Sequence, residues 1–245
     1  MSTIHIPGNG HTRMIAHRGL SGREKENTCA AFVAAGNRSY FGIETDIHTT
    51  ADGKYILIHD SETGRVAGEN LPVEGSTLEK LRALVLPDNA GVPCGDLHLP
   101  LPEEYLRICR DYDKIAVLEL KAPFSAAQLL EIRELVRTHY DEAHTVYISF
   151  FYENLTALRE MDGSLKLQFL CGGPDDLNEE RMQDMAARKI DADAYFGLLS
   201  EEKIARLHEL GLEVNAWTVD SPELAAELMR RGVDYLTTDI LETEE

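Results

Sequence analysis

Eight short apolar runs alternate with eight helix-like segments along a chain of 245 residues, and the polar groups able to do chemistry gather where the runs stop. Alternation of this kind predicts an α/β fold built on a parallel sheet, and eight units predict that the sheet closes into a (β/α)8, or TIM, barrel. The length agrees, because about 250 residues is the usual size of such a barrel. One domain over residues 1–245 is therefore expected.

The first strand, Arg13–Ala16, leads directly into His17 and Arg18, with Gly19 allowing a sharp backbone turn. Residues 27–38 read as a helix whose Ala30, Ala31, Phe32, Ala34 and Ala35 supply an apolar face. The second strand is 42–47. Asp52-Gly53 then separates it from the apolar run 55–58, the signature of a hairpin with a two-residue turn. This β-hairpin extension would fold His59 back toward the second strand. Residues 61–100 interrupt the alternation, being rich in Gly, Pro, Asn and Asp around a short helix over 77–84. They read as a small insertion over the barrel mouth. The pattern then resumes: a helix over 102–112 opened by proline, a strand 117–121, helix Ala126–His139, strand Thr145–Ser149, helix 153–161 and strand 165–170. Helix 178–188, strand 192–195, helix 201–210, strand 213–218, helix Pro222–Arg231 and strand 234–237 complete the series.

The strand ends carry a reactive set. Glu44 and Asp46 point to the same side of the second strand, since side chains alternate across it. Two carboxylates so placed repel each other unless a cation lies between them, and a hard divalent ion with oxygen ligands is the simplest occupant. Glu119, in Glu119-Leu120-Lys121, is a third oxygen ligand and Lys121 a phosphate contact, because charges at the end of an apolar strand are costly unless paired or bound to metal. The hairpin brings His59 to this cluster, and His17 and Arg18 stand at the end of the neighbouring strand. Two histidines, several carboxylates and an arginine suit the cleavage of a phosphodiester. Each signal has a bland reading: a capping histidine, a solvated acidic face, an edge-strand ion pair. Their occurrence together, each at the end of an apolar run, is what argues against those readings.

His17-Arg18-Gly19, Glu26-Asn27-Thr28, Glu44-x-Asp46, Asp52-Gly53, His59-Asp60, Glu119-x-Lys121 and Trp217-Thr218 occur in the order of the glycerophosphodiester phosphodiesterases, a family the chain resembles along nearly its whole length. The resemblance implies metal-dependent hydrolysis of glycerophosphodiesters to sn-glycerol 3-phosphate and an alcohol. It implies His17 and His59 as the acid and base, Arg18, Lys121 and Trp217 as substrate contacts, and one divalent ion (magnesium, calcium or manganese) on Glu44, Asp46 and Glu119. It favours attack by the neighbouring glycerol hydroxyl, with His17 as base and His59 as acid, over direct attack by water. Related proteins often open their insertion with an Arg-Thr-Thr motif, where this chain has Ser61-Glu62-Thr63-Gly64-Arg65, so contacts to the alcohol do not carry over. The alternatives are the same chemistry on another ester such as a lysophospholipid, or a non-catalytic phosphoester-binding barrel. The latter predicts the loss of a histidine or ligand, and none is missing.

Composition sets further bounds. A net charge of −19, from 43 acidic against 24 basic residues, argues against nucleic-acid or anionic-membrane partners. It leaves a small phosphodiester as the expected partner, attracted by local positive charge against an unfavourable global field. Cys29, Cys94, Cys109 and Cys171 lack close Cys-x-x-Cys spacing and read as free thiols. The start of the chain has no basic segment followed by an apolar core, so a cytoplasmic protein is expected. His48 shares the parity of Glu44 and Asp46 and reads as a rim residue, and Asn27 reads as a helix cap. The other histidines show no partnered pattern, and no interface stripe fixes an oligomeric state.

Overall fold

The computed structural model describes residues 2–244. In chain order the elements are β1 (Ile4–Ile6), β2 (Arg13–Ala16), α1 (Cys29–Gly36), β3 (Gly42–Thr49), β4 (Tyr55–Leu57), α2 (Gly64–Ala67), α3 (Leu78–Arg82), α4 (Pro102–Asp111), β5 (Ile115–Leu120) and α5 (Ala126–His139). There follow β6 (Thr145–Ser149), α6 (Tyr152–Met161), β7 (Lys166–Cys171), α7 (Glu179–Arg188), β8 (Asp191–Tyr195), α8 (Glu201–Glu209), β9 (Val214–Trp217), α9 (Pro222–Arg231), β10 (Tyr235–Thr238) and β11 (Leu241–Thr243).

Strands β2, β3 and β5 to β10 pair in parallel around a closed ring: β10 returns to β2, and β2 pairs with β3. The eight-stranded barrel is as the alternation predicted. Two shells of apolar side chains hold it. Phe32, Tyr105, Leu118, Leu155, Leu207 and Leu228 pack between strands and helices, while Ile15, Val117, Ile148, Leu170 and Tyr235 fill the interior. Helix α9 shows why such segments are helical. Ser221 caps its first turn by accepting from the Leu224 N–H at 3.3 Å, Pro222 opens it, and Ala225, Leu228 and Met229 bury one face. Gly232, at φ 96°, ends it in the left-handed region.

The structure corrects the hairpin turn and adds two features that local patterns do not show. Strand β4 does run antiparallel to β3, with Thr49 opposite Tyr55, but the turn is longer than two residues. The Thr50 N–H donates to the Lys54 carbonyl at 2.8 Å, and the Asp52 carboxylate accepts from the Thr50 hydroxyl (2.7 Å) and the Leu78 N–H (2.9 Å). Asp52 is thus used to tether α3, which a local turn signal does not register. The segment after β4 carries a small core of its own, which its composition does not show: Val66, Leu71, Val73 and Leu81 form a separate apolar cluster with Ile56 and Ile58. Finally, β1 and β11 pair in parallel outside the barrel and were not anticipated. Three residues are too few to show a period, and their pairing partner lies at the other end of the chain.

Among the described residues no helix is long and apolar enough to cross a membrane. All four cysteines are free thiols.

Candidate active site

Alternation on β3 turns Glu44 and Asp46 into the barrel, and the parallel register sets Asp46 beside Glu119 of β5. All three carboxylates are buried, and an oxygen of each lies within 4.8 Å of the others. The Lys121 ammonium is 2.9 Å from Glu119 and 3.4 Å from Asp46. The backbone N–H of Arg18 donates to Glu44 at 2.8 Å, and its guanidinium Nε stands 3.8 Å from Asp46. Burial, reinforced by Asp46 and Glu119, pushes the Glu44 carboxyl well above the usual carboxylate range. Burial and Asp46 raise Glu119 to about 8, against the pull of Lys121. Asp46 goes the other way: burial opposes its ionisation, but Lys121, His59, Arg18 and the Asn27 amide outweigh it and hold the group far down. The all-oxygen donor set, the mutual repulsion and an Asp46 Oδ1 that accepts no hydrogen bond all fit a hard divalent cation.

Each histidine of the pair is backed by a carboxylate. His17 Nδ1 is 2.7 Å from Asp239 Oδ1, which also accepts from the Ser21 hydroxyl at 2.8 Å. His59 Nδ1 is 2.7 Å from Asp60 Oδ1. A carboxylate on Nδ1 selects the tautomer with its proton there and its lone pair on Nε2. Neither Nε2 has a hydrogen-bond partner among the described residues, and both rings line the same cavity. Behind His59 the chain of charges continues: Arg65 donates to Asp60 (2.6 Å) and Glu26 (2.8 Å), and Glu26 accepts from Arg18 (2.9 Å). Burial opposes the ionisation of Asp60, but Arg65 and His59 hold it at about 2. Burial lowers the pKa of His59, with Asp46 opposing.

The loop between β2 and α1 is held in an uncommon form. Arg18 (φ 55°) and Asn27 (φ 49°) are both left-handed, and the Asn27 N–H donates to the Arg18 carbonyl at 3.0 Å. Such conformations persist where the surroundings over-determine them. Here Asn27 donates to Asp46 at 2.7 Å and accepts from the Thr45 hydroxyl at 2.6 Å, so it braces the carboxylate cluster. Thr28 takes the capping role that the sequence suggested for Asn27, accepting from Ala31. His48 is buried rather than on the rim, with Nε2 3.3 Å from the His59 carbonyl, where it supports the loop carrying that residue.

The cavity, about 130 Å³, is walled by His17, Arg18, Glu44, His59 and Glu119 on one side and by Phe150, Leu170, Asp193 and Trp217 on the other. The Trp217 indole N–H donates to the Asp193 carbonyl at 3.0 Å, and Phe150 meets its ring edge-on at 5.7 Å. Lys121 reaches the site through the carboxylates rather than as part of the wall.

Residues 17–243 match the model of the glycerophosphoryl diester phosphodiesterase family. The chain belongs to that family. It is accordingly a phosphoric diester hydrolase. It is 28% identical over 240 residues to a glycerophosphodiester phosphodiesterase of Caldanaerobacter subterraneus subsp. tengcongensis, covering 95% of this chain and 96% of the relative. The fold is similar to a phosphodiesterase of Oleispira antarctica solved with its product sn-glycerol-3-phosphate, with a TM-score of 0.84 at 20% identity over 94% of each chain. It is likewise similar to a Thermotoga maritima glycerophosphodiester phosphodiesterase, with a TM-score of 0.76 at 22% identity, covering 94% of this chain and 95% of the other.

The structure of this family member brings His17, Arg18, Glu44, Asp46, His59, Glu119, Lys121 and Trp217 to one end of the barrel. Sequence reasoning missed Asp239, Asp193 and the bridging part of Glu26 and Arg65. Asp239 had a usable signal, a carboxylate directly after the last barrel strand. The Glu26–Arg65 pair had none, since it joins the loop before α1 to α2, far apart in sequence.

Proposed function

We propose that the protein hydrolyses glycerophosphodiesters to sn-glycerol 3-phosphate and an alcohol, with a divalent cation held by Glu44, Asp46 and Glu119. The observation that carries the reading is the meeting, in one cavity, of this carboxylate cluster with two histidines each oriented by its own carboxylate. When bound, the cation would neutralise charge on the phosphoryl oxygens. Arg18 presents a forked donor to the same oxygens, and Lys121 balances the carboxylates.

His59 and His17 divide the proton work. Burial disfavours the charged form of His59, and Arg65 already occupies its partner Asp60, so His59 is assigned as the base. This reverses the assignment that resemblance alone suggested. His59 Nε2 takes the proton of the glycerol hydroxyl next to the ester, whose oxygen bonds to phosphorus as the bond to the alcohol oxygen breaks. His17, oriented by Asp239, gives its proton to that departing oxygen. Water then opens the cyclic phosphate by the reverse transfers, giving sn-glycerol 3-phosphate.

The test is release of sn-glycerol 3-phosphate from glycerophosphocholine, glycerophosphoethanolamine and glycerophosphoglycerol, with and without chelator, alongside His17→Ala. We expect turnover that needs a divalent ion and falls at least about 100-fold in the variant. A folded protein that turns over none of these esters with magnesium, calcium or manganese would overturn the reading.

A further inference from the structure

Asp193 sits mid-strand on β8, is 2% exposed and lines the catalytic cavity across from Glu44 and Glu119. Its Oδ1 has no hydrogen-bond partner, and among the described residues no lysine, arginine or histidine pairs with it. Leaving such an atom buried and unpaired is unfavourable, because it has given up water without gaining a partner. The barrel gains no visible support in return. The backbone beneath it is fixed, because the Trp217 indole bonds the Asp193 carbonyl at 3.0 Å. Of its interior polar neighbours, Asn215 and Thr237 bond each other at 3.0 and 3.1 Å, and the Asn215 amide also acts on the Asp193 carboxyl without satisfying Oδ1. A side chain held this way is preset for a group that arrives with the ligand.

The chemistry of that group follows from the walls. Between the phosphoryl end and Asp193 lie Ile148, Leu170 and Trp217, suited to a short carbon skeleton, and the interior apolar cluster closes the floor. A phosphate at Asp193 would meet an acidic group with no cation to offset it. Burial pushes the Asp193 carboxyl up to about 8, so near neutrality it both donates and accepts, as a hydroxyl partner should. Attack by the glycerol's own hydroxyl also requires the glycerol arm, not the alcohol, to lie inward near the histidines.

We propose that Asp193 is a specificity-determining residue that binds the terminal hydroxyl of the glycerol arm and so selects glycerol phosphates over phosphates lacking that hydroxyl. The inference rests on the glycerophosphodiesterase reading for which arm enters the cavity, but it concerns binding and is tested without turnover.

Magnesium-loaded wild type, Asp193→Asn and Asp193→Ala are titrated calorimetrically with sn-glycerol 3-phosphate and with 2-hydroxypropyl phosphate, which lacks only the terminal hydroxyl. One hydrogen bond predicts that the wild type binds sn-glycerol 3-phosphate about tenfold more tightly than the deoxy compound. Asp193→Ala should erase the preference by weakening only the first ligand, and Asp193→Asn, which keeps an acceptor, should restore part of it. An unchanged preference in Asp193→Ala, or equal weakening of both ligands in both variants, overturns the proposal, as does a wild type that does not distinguish the two phosphates. Failure of the hydrolase reading is seen separately, as absence of product from any diester.

Discussion

Raising the pH of the metal-free protein should destabilise it, and a divalent ion should reverse the loss most strongly at the alkaline end. Glu119 is lifted from an ordinary value of 4.5 to about 8, and Glu44 is raised as well. Between those values the folded state binds more protons at Glu119 than the unfolded chain, so this contribution to stability is fully present below pH 4.5 and is lost as pH rises toward 8. At roughly 1.4 kcal/mol per unit, the Glu119 displacement alone sets an upper bound of about 5 kcal/mol. The site opens to a cavity, where an effective dielectric nearer 20 than 4 applies, which leaves about 2–3 kcal/mol. In a chain of this length that corresponds to about 4–12 °C in Tm. Asp191 and Asp193, raised to about 7 and about 8 chiefly by burial, add a decline of the same sign that no ion at the carboxylate cluster can relieve. The diagnostic quantity is therefore the difference in the ion-induced Tm shift between pH 8.5 and pH 5.5, read by differential scanning calorimetry after chelation and after adding magnesium or calcium. We expect the shift to be larger at pH 8.5 by about 3–9 °C, since pH 5.5 already lies inside the window, and Glu119→Gln to abolish most of that difference. An ion-induced shift equal at both pH values, or a difference that survives in Glu119→Gln, would refute the assignment of the cluster as the cation site.

Asp60→Asn removes the carboxylate that fixes the His59 tautomer, so kcat should fall about 10- to 100-fold and the limb of the pH–rate profile that reports the base should move; an unchanged profile would separate Asp60 from catalysis. Gly19→Ala places a Cβ 2.6 Å from the Ala31 backbone at a φ of +75°, so the loop carrying His17 and Arg18 must shift. Denaturant titration should show a loss of at least about 2 kcal/mol, and phosphodiester turnover should fall with it. Arg133, buried between Glu142 (2.7 Å) and Asp162 (2.8 Å), lies away from the catalytic cavity. Arg133→Met should cost about 1–3 kcal/mol through the lost bonds of the buried guanidinium, since Arg137 still holds Glu142 (2.9 Å) and Ser164 still bonds Asp162 (2.7 Å), while the kcat of the protein that remains folded stays at the wild-type value.

Much of this protein is legible in its sequence, for physical reasons that are local. Period-two and period-3.6 apolar patterns write out the strands and helices, and the alternation of side chains across β3 alone puts Glu44 and Asp46 on one side. Polar residues at the ends of apolar runs mark the reactive end of the barrel, which is how His17, Arg18, Glu119 and Lys121 come to notice.

What only the tertiary structure decides is which distant groups meet. The β3–β5 register sets Asp46 beside Glu119, and closure of the ring brings Asp239 from the far end of the chain to His17. Arg65 in the segment after β4 ties Asp60 to Glu26 in the first loop. Asn27 shows the contrast within one residue: sequence offers helix capping, a contact within one turn, whereas the fold presents a more demanding partner in the buried Asp46 carboxylate. Propensity and periodicity report energies between neighbours along the chain, but a buried charge is settled by whatever closure places around it. Asp193, one acid within a short buried strand, acquires its unpaired oxygen and its place in the cavity only when the barrel shuts.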